Sequence, residues 1–349
     1  MKATLIYGPH DIRFENVPDP QIKLPTDAIV RVVASCVCGS DLWPYRGVTP
    51  TSEPHPIGHE FVGVVEEVGS EVSKVKRGDF VIAPFAISDG TCAHCRNGIT
   101  TSCAHGGWWG SSGADGFPTD GGQAEALRVP LADGTLFPLT GQADAALIPS
   151  LLTLSDVMGT GHHVALSARV KQGDRVVVVG DGAVGLCAVL AAKRLGANQI
   201  IAMSRHPQRQ ALARDFGATD IITERGEEGA ERVRELTRGV GADAVLECVG
   251  TKESMQQAFD AARPGGRVGF VGVPHGGPEA PISQMFYSNI GLAGGAAPAR
   301  VYMPDLLPDV LEGRIEPGRV FDLELPLSQV ADAYSAMDER RAIKVLLRP

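Results

Sequence analysis

Apolar and polar residues alternate in two different ways along the chain, and the change comes near its middle. Through the first 150 residues, short β-branched and apolar runs are separated by Gly, Pro and Asp, and they predict strands at 29–37, 61–68 and 80–87. The segment 88–122 has no period and is crowded with turn-forming residues. A loop of this length inside a compact domain is expected to be functional or to be held by a metal ion.

From about residue 173, short apolar runs alternate with helix-like stretches. RVVVVG is followed by AVGLCAVLAAKRLGA, QIIAM is followed by HPQRQALARDFGA, and the alternation continues to RVGFVGV. Repeated strand–helix units predict a doubly wound parallel sheet with helices on both faces. After about residue 297 the pattern predicts helices at 303–312 and 327–338 and a closing strand, AIKVLLR. The expected fold class is α/β, with a β-rich N-terminal part.

Composition and charge narrow the classes of function. The 349 residues are 44% hydrophobic and 21% charged, as in soluble globular enzymes, and the length is near that at which a chain divides into two domains. A formal charge of −9 argues against a nucleic-acid partner, which requires a basic surface. The apolar runs are too short to cross a bilayer, and the opening MKATLIYGPH does not resemble a secretion signal. We therefore expect no nucleic-acid or membrane partner and a cytoplasmic location.

The sequence GDGAVG directly follows the predicted strand RVVVV and opens a helix, which is the context of a dinucleotide-binding G-x-G-x-x-G motif. Gly180 permits the tight turn, Gly182 lets the backbone approach a pyrophosphate, and Gly185 lets the helix pack close to the strand. The alternative is a Gly-rich turn that binds nothing. The residues expected to contact the pyrophosphate are Gly180, Gly182, Ala183, Val184 and Gly185.

The end of the second strand of this series predicts which cofactor binds. NAD sites carry Asp or Glu there to bond the ribose 2′-hydroxyl, whereas this chain has Ser204 and Arg205, with Arg209 one turn into the next helix. A carboxylate would repel a 2′-phosphate, and Ser204 and Arg205 can donate to one. The alternative is that Arg205 is an ordinary solvated residue. We predict NADP(H).

Four residues of metal-ligating type lie close to predicted strand ends. Cys38 ends an apolar strand, His59 and Glu60 open the next one, and Asp156 precedes the nucleotide-binding part. Thiolate, imidazole and carboxylate ligands with one position left open form a catalytic zinc site. Taken singly, Cys38 could be a core thiol and His59 a structural histidine.

A second cluster lies in the long loop. Three of the seven cysteines, Cys92, Cys95 and Cys103, fall there at short spacing, which in an intracellular chain indicates a metal site sooner than disulfides. A structural zinc would need Asp89, His94 or His105 as its fourth ligand. The alternative is a loop with unmetallated thiols.

Together these motifs resemble the zinc-dependent alcohol dehydrogenases of the medium-chain dehydrogenase/reductase superfamily, over essentially the whole chain. The resemblance depends on CGSD, GHEFVGVVEEVG, DGTCAHCRNG, GDGAVG and the terminal KVLLRP. It implies a GroES-like catalytic domain at 1–158, completed by 297–349, and a Rossmann domain at 159–296, with the active site in the cleft. It also implies a homodimer or homotetramer, commonly joined through the edge of the nucleotide domain, here 265–295.

The resemblance assigns roles to single residues. Cys38, His59 and Asp156 take the catalytic-zinc positions, and Glu60 resembles an adjacent glutamate that moves onto the metal in some members. Ser40 matches a hydroxyl that passes on the alcohol proton. Thr160 lies where a residue near the nicotinamide is expected.

The chain departs from the family pattern at two positions. The structural-zinc lobe usually has four cysteines, and Asp89 occupies the first of these positions, so this zinc is expected to be weakly held or absent. Trp43 stands where several members have a relay histidine. Trp43, Trp108 and Trp109 are candidates for an apolar pocket wall, with packing or interface roles as the alternative.

The expected activity is reversible hydride transfer between a small primary or secondary alcohol and NADP, with an aldehyde or ketone as the other reactant. Three alternatives remain open: a zinc-free reductase of the same superfamily, a polyol or sugar dehydrogenase, and a non-catalytic nucleotide- or zinc-binding sensor.

Overall fold

A computed structural model of the protein describes residues 1–111, 115–139, 141 and 143–349. These residues form two compact units. The first contains Met1–Asp156 and Pro298–Pro349, and the second contains Val157–Ala297.

The first part of the chain is made mainly of strands, as its apolar runs predict. The strands are β1 (Lys2–Gly8), β2 (Asp11–Asn16), β3 (Ala28–Cys36), β4 (His55–Pro56), β5 (Phe61–Val68), β6 (Phe80–Ala83), β7 (Ala86–Ile87), β8 (Gly107–Trp108), β9 (Ala126–Val129) and β10 (Phe137–Pro138). Short helices connect them: α1 (Leu42–Tyr45), α2 (Ala93–Arg96), α3 (Ala132–Thr135) and α4 (Ile148–Thr153), with 3₁₀ turns at Thr100–Ser102 and Ala145–Leu147.

The predicted strand at 80–87 is wrong as a single element. β6 ends at Ala83 and β7 begins at Ala86, so the backbone leaves the ladder at Pro84 and Phe85. Proline has no N–H to donate to a neighbouring strand, so it interrupts a ladder whose other residues are apolar. The interruption places Phe85 outside the sheet, beside the residues described below.

The second unit, in which every residue is described, alternates strands and helices. Its strands are β11 (Arg175–Val179), β12 (Gln199–Met203), β13 (Asp220–Ile222), β14 (Ala242–Glu247), β15 (Ala262–Phe270) and β16 (Gly291–Gly294). Its helices are α5 (Val157–Ser167), α6 (Ala183–Arg194), α7 (Pro207–Phe216), α8 (Gly226–Leu236), α9 (Lys252–Ala261) and α10 (Ile282–Ser288).

These strands form one parallel sheet in the order β13-β12-β11-β14-β15-β16. Right-handed crossovers in a sheet of this order place the helices that follow β11 and β12 on one face, and those that follow β13 and β14 on the other. The core between them contains the apolar runs of the strands, including Val177, Ile201, Val245 and Val268. The expected doubly wound α/β sheet is confirmed.

The C-terminal segment returns to the first unit. It forms α11 (Ala299–Leu311), β17 (Phe321–Pro326), α12 (Val330–Asp338) and β18 (Lys344–Arg348), with 3₁₀ turns at Pro317–Val320 and Leu327–Gln329. β18 pairs antiparallel with β3, with Leu346 opposite Cys36, in a sheet ordered β10-β6-β5-β3-β18-β17. The last strand therefore lies beside the end of β3, where Cys38 follows.

None of the helices in the described ranges is both long enough and apolar enough to span a bilayer.

Candidate metal centres and nucleotide site

The end of β3 and the beginning of β5 lie side by side in the first unit. β3 pairs antiparallel with β5, with Ser35 opposite Phe61, so the residues just beyond these strand ends are neighbours. Asp156 follows α4 and joins them from a third segment. The ligand atoms that this arrangement gathers within 4.8 Å of one another belong to Cys38, His59, Glu60 and Asp156. These four are called the buried cluster below.

The imidazole of His59 is oriented from both sides. Its Nδ1 lies 3.2 Å from Oδ1 of Asp41, and its Nε2 lies 3.4 Å from Oδ2 of Asp156. The other oxygen of Asp41 accepts from the backbone N–H of Cys38 at 2.9 Å and from Gln123 Nε2 at 3.3 Å. A carboxylate bonded to one ring nitrogen fixes the ring and leaves the second nitrogen to bind a metal. Sequence reasoning did not assign this role to Asp41.

A lysine from the far end of the chain balances the charge of this cluster. Lys344 Nζ lies 2.6 Å from Oε1 of Glu60 and donates to the carbonyl of Val37 at 3.2 Å. Lys344 and Glu60 are 1% and 0% exposed, so neither charge has water to solvate it. The second carboxylate oxygen of Glu60 is buried and has no hydrogen-bond partner among the described residues. An unpartnered buried carboxylate oxygen is costly unless a cation also binds there.

The protonation of these groups reflects their burial and their charged neighbours. Burial raises the pKa of the Cys38 thiol, and the neighbouring Glu60 raises it further. Burial alone would lower the pKa of His59, but the Asp41 carboxylate and Cys38 outweigh it and raise that pKa well above its usual value. Burial also raises the pKa of Glu60, against the opposing effect of Lys344. The thiol and the carboxyl are therefore biased toward their protonated forms, and a bound cation would favour the anions instead.

The donor set of the buried cluster fits zinc. Sulfur, imidazole nitrogen and carboxylate oxygen are the ligands that catalytic zinc sites use, and three of them leave a coordination position open for a reactant.

The second cluster forms inside one loop. The ligand atoms of Asp89, Cys92, Cys95 and Cys103 lie within 4.8 Å of one another. Cys92 Sγ and Cys103 Sγ are 3.9 Å apart, Cys92 Sγ accepts from the backbone N–H of Cys95, and Cys103 Sγ accepts from that of Asp89. We call these four residues the loop cluster. Of the three candidates for the fourth position, the structure brings Asp89 into the group.

His105 contacts the loop cluster through Asp89. Its Nδ1 lies 2.6 Å from Oδ2 of Asp89, while Oδ1 accepts from the backbone N–H groups of Thr91 and Cys92. Despite partial burial, these bonds hold the pKa of the Asp89 carboxyl well below its usual value. Backbone N–H groups of Ala104 and Cys95 lower the pKa of Cys92 to about 7. Burial raises the pKa values of Cys95 and Cys103, so Asp89 and Cys92 are the donors of this cluster that are most readily anionic before a metal binds.

The three tryptophans predicted as candidates for a pocket wall differ in their burial and contacts. Trp109 is 7% exposed, packs edge-on against Phe61 and donates its indole N–H to a backbone carbonyl, so it is a packing residue. Trp108 is 46% exposed and stacks on Phe85, whose ring lies 6.5 Å from that of His59. Trp43 lies in α1 and is partly buried. The stacked pair Phe85 and Trp108 thus forms an apolar wall beside the buried cluster.

The glycine-rich turn of the second unit has the geometry of a phosphate-binding loop. Gly180 has a φ of 114°, in the left-handed region that favours glycine. A side chain at Gly185 would collide with the carbonyl of Gly180, whereas one at Gly182 would meet nothing within 4 Å. α6 begins directly afterwards, at Ala183, and the first backbone N–H groups of a helix are available to an anion. The residues fit a nucleotide pyrophosphate.

An unexpected carboxylate lies at the end of β12. The Ser204 hydroxyl donates to Oδ2 of Asp181 at 2.7 Å, and Arg209 Nη1 lies 3.3 Å from Oδ1 of the same residue. Asp181 belongs to the glycine-rich loop, 23 residues before Ser204, so no local pattern indicates that the two side chains meet.

Two further guanidinium groups lie at this edge of the sheet. Arg205 donates from Nε to the carbonyl of Thr223, and Arg225 Nη2 donates to the carbonyl of Met203 at 3.4 Å. Partial burial and the repulsion of Arg205 lower the pKa of Arg225, with Asp181 acting in the opposite sense. Arg225 was missed from the sequence because it follows the third strand, and only the parallel order of the sheet brings it next to the end of the second.

Comparison with known proteins shows the family to which the chain belongs. The family model for the alcohol dehydrogenase GroES-like domain matches residues 24–141, and that for the zinc-binding dehydrogenase matches residues 183–311. A zinc-type alcohol dehydrogenase-like protein of Bacillus subtilis is 35% identical, and the alignment covers 100% of both chains. The chain belongs to the zinc-dependent alcohol dehydrogenase family. These matches confirm the family that the sequence motifs predicted. The protein is an oxidoreductase of that family.

Solved alcohol dehydrogenases have the same fold over their whole length. The enzyme from Thermus sp. ATN1 superposes with a TM-score of 0.92 at 34% identity, covering 100% of this chain and 99% of the other. A zinc-binding dehydrogenase from Sinorhizobium meliloti, solved with NADP, gives a TM-score of 0.82 at 27% identity, with 100% and 99% coverage. Family membership implies zinc and a nicotinamide cofactor.

Two other residues expected at the site of this alcohol dehydrogenase lie in different units. Ser40 follows Cys38 by two residues, in the turn before α1, and is partly exposed. Thr160 lies in α5 and is 8% exposed.

Proposed function

We propose that the protein is an NADP-dependent alcohol dehydrogenase that interconverts small primary or secondary alcohols and their aldehydes or ketones. The observation that carries this proposal is the buried cluster, in which sulfur, imidazole and carboxylate donors converge beside an apolar aromatic wall. In this proposal 1–158 with 297–349 is the catalytic domain and 159–296 binds the cofactor. We also assign the protein to the cytoplasm.

Cys38, His59 and Asp156 would hold the catalytic zinc, with Glu60 as an additional ligand. When bound, zinc lowers the pKa of an alcohol hydroxyl or polarises a carbonyl, and the nicotinamide accepts or supplies the hydride. Asp41 keeps the ring of His59 oriented, and Lys344 compensates the charge of Glu60. Ser40 would relay the proton of the reacting hydroxyl, accepting it while passing its own hydroxyl hydrogen onward toward solvent, and would run the same relay in the reverse direction; its place two residues after Cys38 supports this role.

The preference for NADP over NAD is supported by the guanidinium groups at the end of β12. Arg205, Arg209 and Arg225 lie at this edge of the sheet, and a 2′-phosphate carries about −1.5 to −2 charge at neutral pH. Gly180, Gly182 and the first turn of α6, including Ala183, Val184 and Gly185, would hold the pyrophosphate. Thr160 would lie near the nicotinamide.

The stacked pair Phe85 and Trp108 supports an apolar substrate group. Its flat hydrophobic surface can cover an alkyl or aryl substituent, whereas a polyol would need hydrogen-bond partners there. We therefore propose that simple alcohols and aldehydes are better substrates than polyols or sugars.

We propose a second, structural zinc in the loop cluster, held by Asp89, Cys92, Cys95 and Cys103. The convergence of four donors in a segment with little core of its own supports this. Carboxylate in place of thiolate should make this zinc the more weakly held of the two.

We also propose a homo-oligomer, joined through the edge of the second unit. β16 is the edge strand of the parallel sheet, and the preceding helix α10 exposes Ile282, Phe286 and Tyr287 by 68%, 75% and 83%. Exposed apolar side chains next to an open strand edge are typical of interfaces. Sedimentation velocity should show a species larger than a monomer, and Phe286→Asp with Tyr287→Asp should dissociate it.

The experiment that tests the activity is NADPH consumption, followed by near-ultraviolet absorbance, with the zinc-loaded protein on aldehydes, ketones and ketoses. NADH is run in parallel, and the reverse reaction is run on simple alcohols and polyols. Turnover of apolar aldehydes with NADPH supports the proposal. If only ketoses or polyols are turned over, the protein is a polyol or sugar dehydrogenase. If NADPH binds but no substrate is turned over, a non-catalytic nucleotide-binding sensor is favoured.

A single charge reversal tests the cofactor assignment. Arg205→Asp should shift the ratio of kcat/KM values toward NAD by about ten- to hundredfold, because a charge-assisted hydrogen bond contributes roughly 1.5–3 kcal/mol. An unchanged ratio would remove Arg205 from the 2′-phosphate site.

A further inference from the structure

The carboxylate of Asp181 lies among groups that would otherwise bind a phosphate. It accepts the Ser204 hydroxyl at 2.7 Å, and Arg209 Nη1 lies 3.3 Å from its other oxygen. Its side chain is 17% exposed and that of Arg209 is 13% exposed, so this ion pair is only weakly screened by water. Asp181 therefore competes directly for two of the donors that a 2′-phosphate would use.

From these contacts we infer that Asp181 determines cofactor specificity, by favouring a ribose 2′-hydroxyl and opposing a 2′-phosphate. The inference rests on the proposed binding of a nicotinamide dinucleotide in the second unit. It concerns a residue that lies in the glycine-rich loop rather than at the strand end, where the discriminating acidic residue of an NAD site is expected.

Geometry gives the direction of the effect. A group placed within hydrogen-bond distance of Ser204 Oγ lies within about 6 Å of the Asp181 carboxylate, because Oγ is itself 2.7 Å from Oδ2 of Asp181. At that distance a carboxylate repels a phosphate dianion, whereas a neutral 2′-hydroxyl can donate to Ser204 Oγ while Ser204 donates to Asp181. Both effects reduce the preference for the phosphorylated cofactor.

The surrounding charges still favour a phosphate at this position. Arg205 and Arg225 are held by backbone carbonyls, of Thr223 and Met203 respectively, so Asp181 leaves them available to an anion. Arg209 is shared between Asp181 and the incoming group. The site therefore has the composition of one that accepts both cofactors. Its preference for NADP over NAD should be smaller than the three guanidinium groups would produce in the absence of Asp181.

The test is isothermal titration of the zinc-loaded full chain with two fragments, adenosine 2′,5′-bisphosphate and 5′-AMP. Asp181→Asn keeps an oxygen that can accept from Ser204 but removes the charge. We expect the ratio of the affinity for the bisphosphate to the affinity for AMP to rise about tenfold, and a rise of about threefold is the smallest that the inference allows. The gain should shrink as salt is added, because its origin is electrostatic.

Glu235→Gln is the matched control. Glu235 is an exposed acidic residue of α8 that pairs with Arg232, at the end of the helix remote from the glycine-rich loop. It changes the net charge by the same amount and should leave the affinity ratio unchanged. Asp181→Ser serves as a second variant if the amide impairs folding, which is checked by the thermal midpoint.

An unchanged ratio in a folded Asp181 variant overturns the inference. A fall in the ratio also overturns it, since Asp181 would then orient Ser204 and Arg209 for the phosphate instead of competing with it. The proposed NADP preference fails separately, if the unsubstituted protein binds 5′-AMP at least as tightly as the bisphosphate. In that case a rise in the Asp181→Asn ratio would still support the inference.

Discussion

The two candidate metal clusters offer four donors each, but the chain builds them in opposite ways. The loop cluster comes from one short segment, 89–103, and its sulfur atoms accept hydrogen bonds from backbone N–H groups of that same segment. The buried cluster takes its donors from three separate segments, and its charge is balanced by Lys344 on the last strand. One site is local and partly solvated, whereas the other depends on the whole of the first unit.

The two clusters also differ in how a cysteine thiolate is stabilised. In the loop cluster, backbone N–H groups lower the pKa of Cys92 to about 7, so a thiolate forms there without a metal. In the buried cluster, burial and Glu60 raise the pKa of Cys38, so its thiolate needs a cation. Cys92 is therefore expected to be a reactive thiol when the protein is metal-free, whereas Cys38, like Cys95 and Cys103 with their raised pKa values, is expected to be unreactive.

The largest expected effect comes from removing a ligand of the buried cluster. Cys38→Ser should lower kcat/KM for alcohols by about 10³-fold or more, because several kcal/mol of zinc stabilisation are lost. NADPH binding, measured by fluorescence titration, should persist. Cys187→Ala, which changes a buried thiol of α6 in the second unit, is the control. Retained turnover in Cys38→Ser would remove Cys38 from the catalytic site.

The next largest effect tests how much Lys344, the buried cation beside Glu60, contributes to stability. Lys344→Met leaves the Glu60 carboxylate buried without its cation, and breaking such a pair costs about 3–5 kcal/mol. The urea midpoint of the metal-free protein should therefore fall. Adding Glu60→Gln to Lys344→Met should recover most of the loss, since the uncompensated charge is then gone. A single variant as stable as the unsubstituted protein would show that the pair contributes nothing to stability.

The difference in zinc retention should appear in a chelation time course. With a coloured zinc indicator and excess chelator, the loop cluster should lose its zinc before activity falls. Asp89→Cys, which supplies a fourth thiolate, should slow that first phase by about ten- to hundredfold. Asp89→Asn is the control that keeps the size but removes the charge. Loss of both zinc ions at one common rate would contradict the ranking of the two sites.

The smallest expected effect is a difference in thiol reactivity after the metal is stripped. With a pKa of about 7, Cys92 is about half thiolate at pH 7, so iodoacetamide should alkylate it about tenfold faster than an ordinary cysteine. Its rate should rise with pH through 7 and level off above about pH 8. Cys38 should stay slow over this range because its pKa is raised. Peptide mass spectrometry separates the two, and faster labelling of Cys38 would reverse the assignment.

Local patterns were sufficient for the fold class and the glycine-rich loop. Alternating strand–helix units fix a parallel sheet because each helix must cover the strands that it joins. The left-handed φ of Gly180 and the close approach at Gly185 follow from the same short motif. The prediction of a single strand at 80–87 was wrong because it rested on the apolar pattern alone. It did not take into account that Pro84 has no N–H to donate to a neighbouring strand.

Long-range contacts account for what the sequence did not indicate. Asp41, Lys344, Asp181 and Arg225 are ordinary charged residues in sequence, and each acquires a role from a neighbour that only the folded chain supplies.

The α/β class and the types of residue that could bind zinc and a dinucleotide were predictable from the residues alone. They follow from short-range spacing, which the chain keeps in any fold. Which charges meet depends on the folded chain, in which Lys344 pairs with Glu60 and Asp181 meets Ser204 and Arg209. Electrostatic energies depend on distance and burial, and strand pairing fixes both, so no local pattern can encode them.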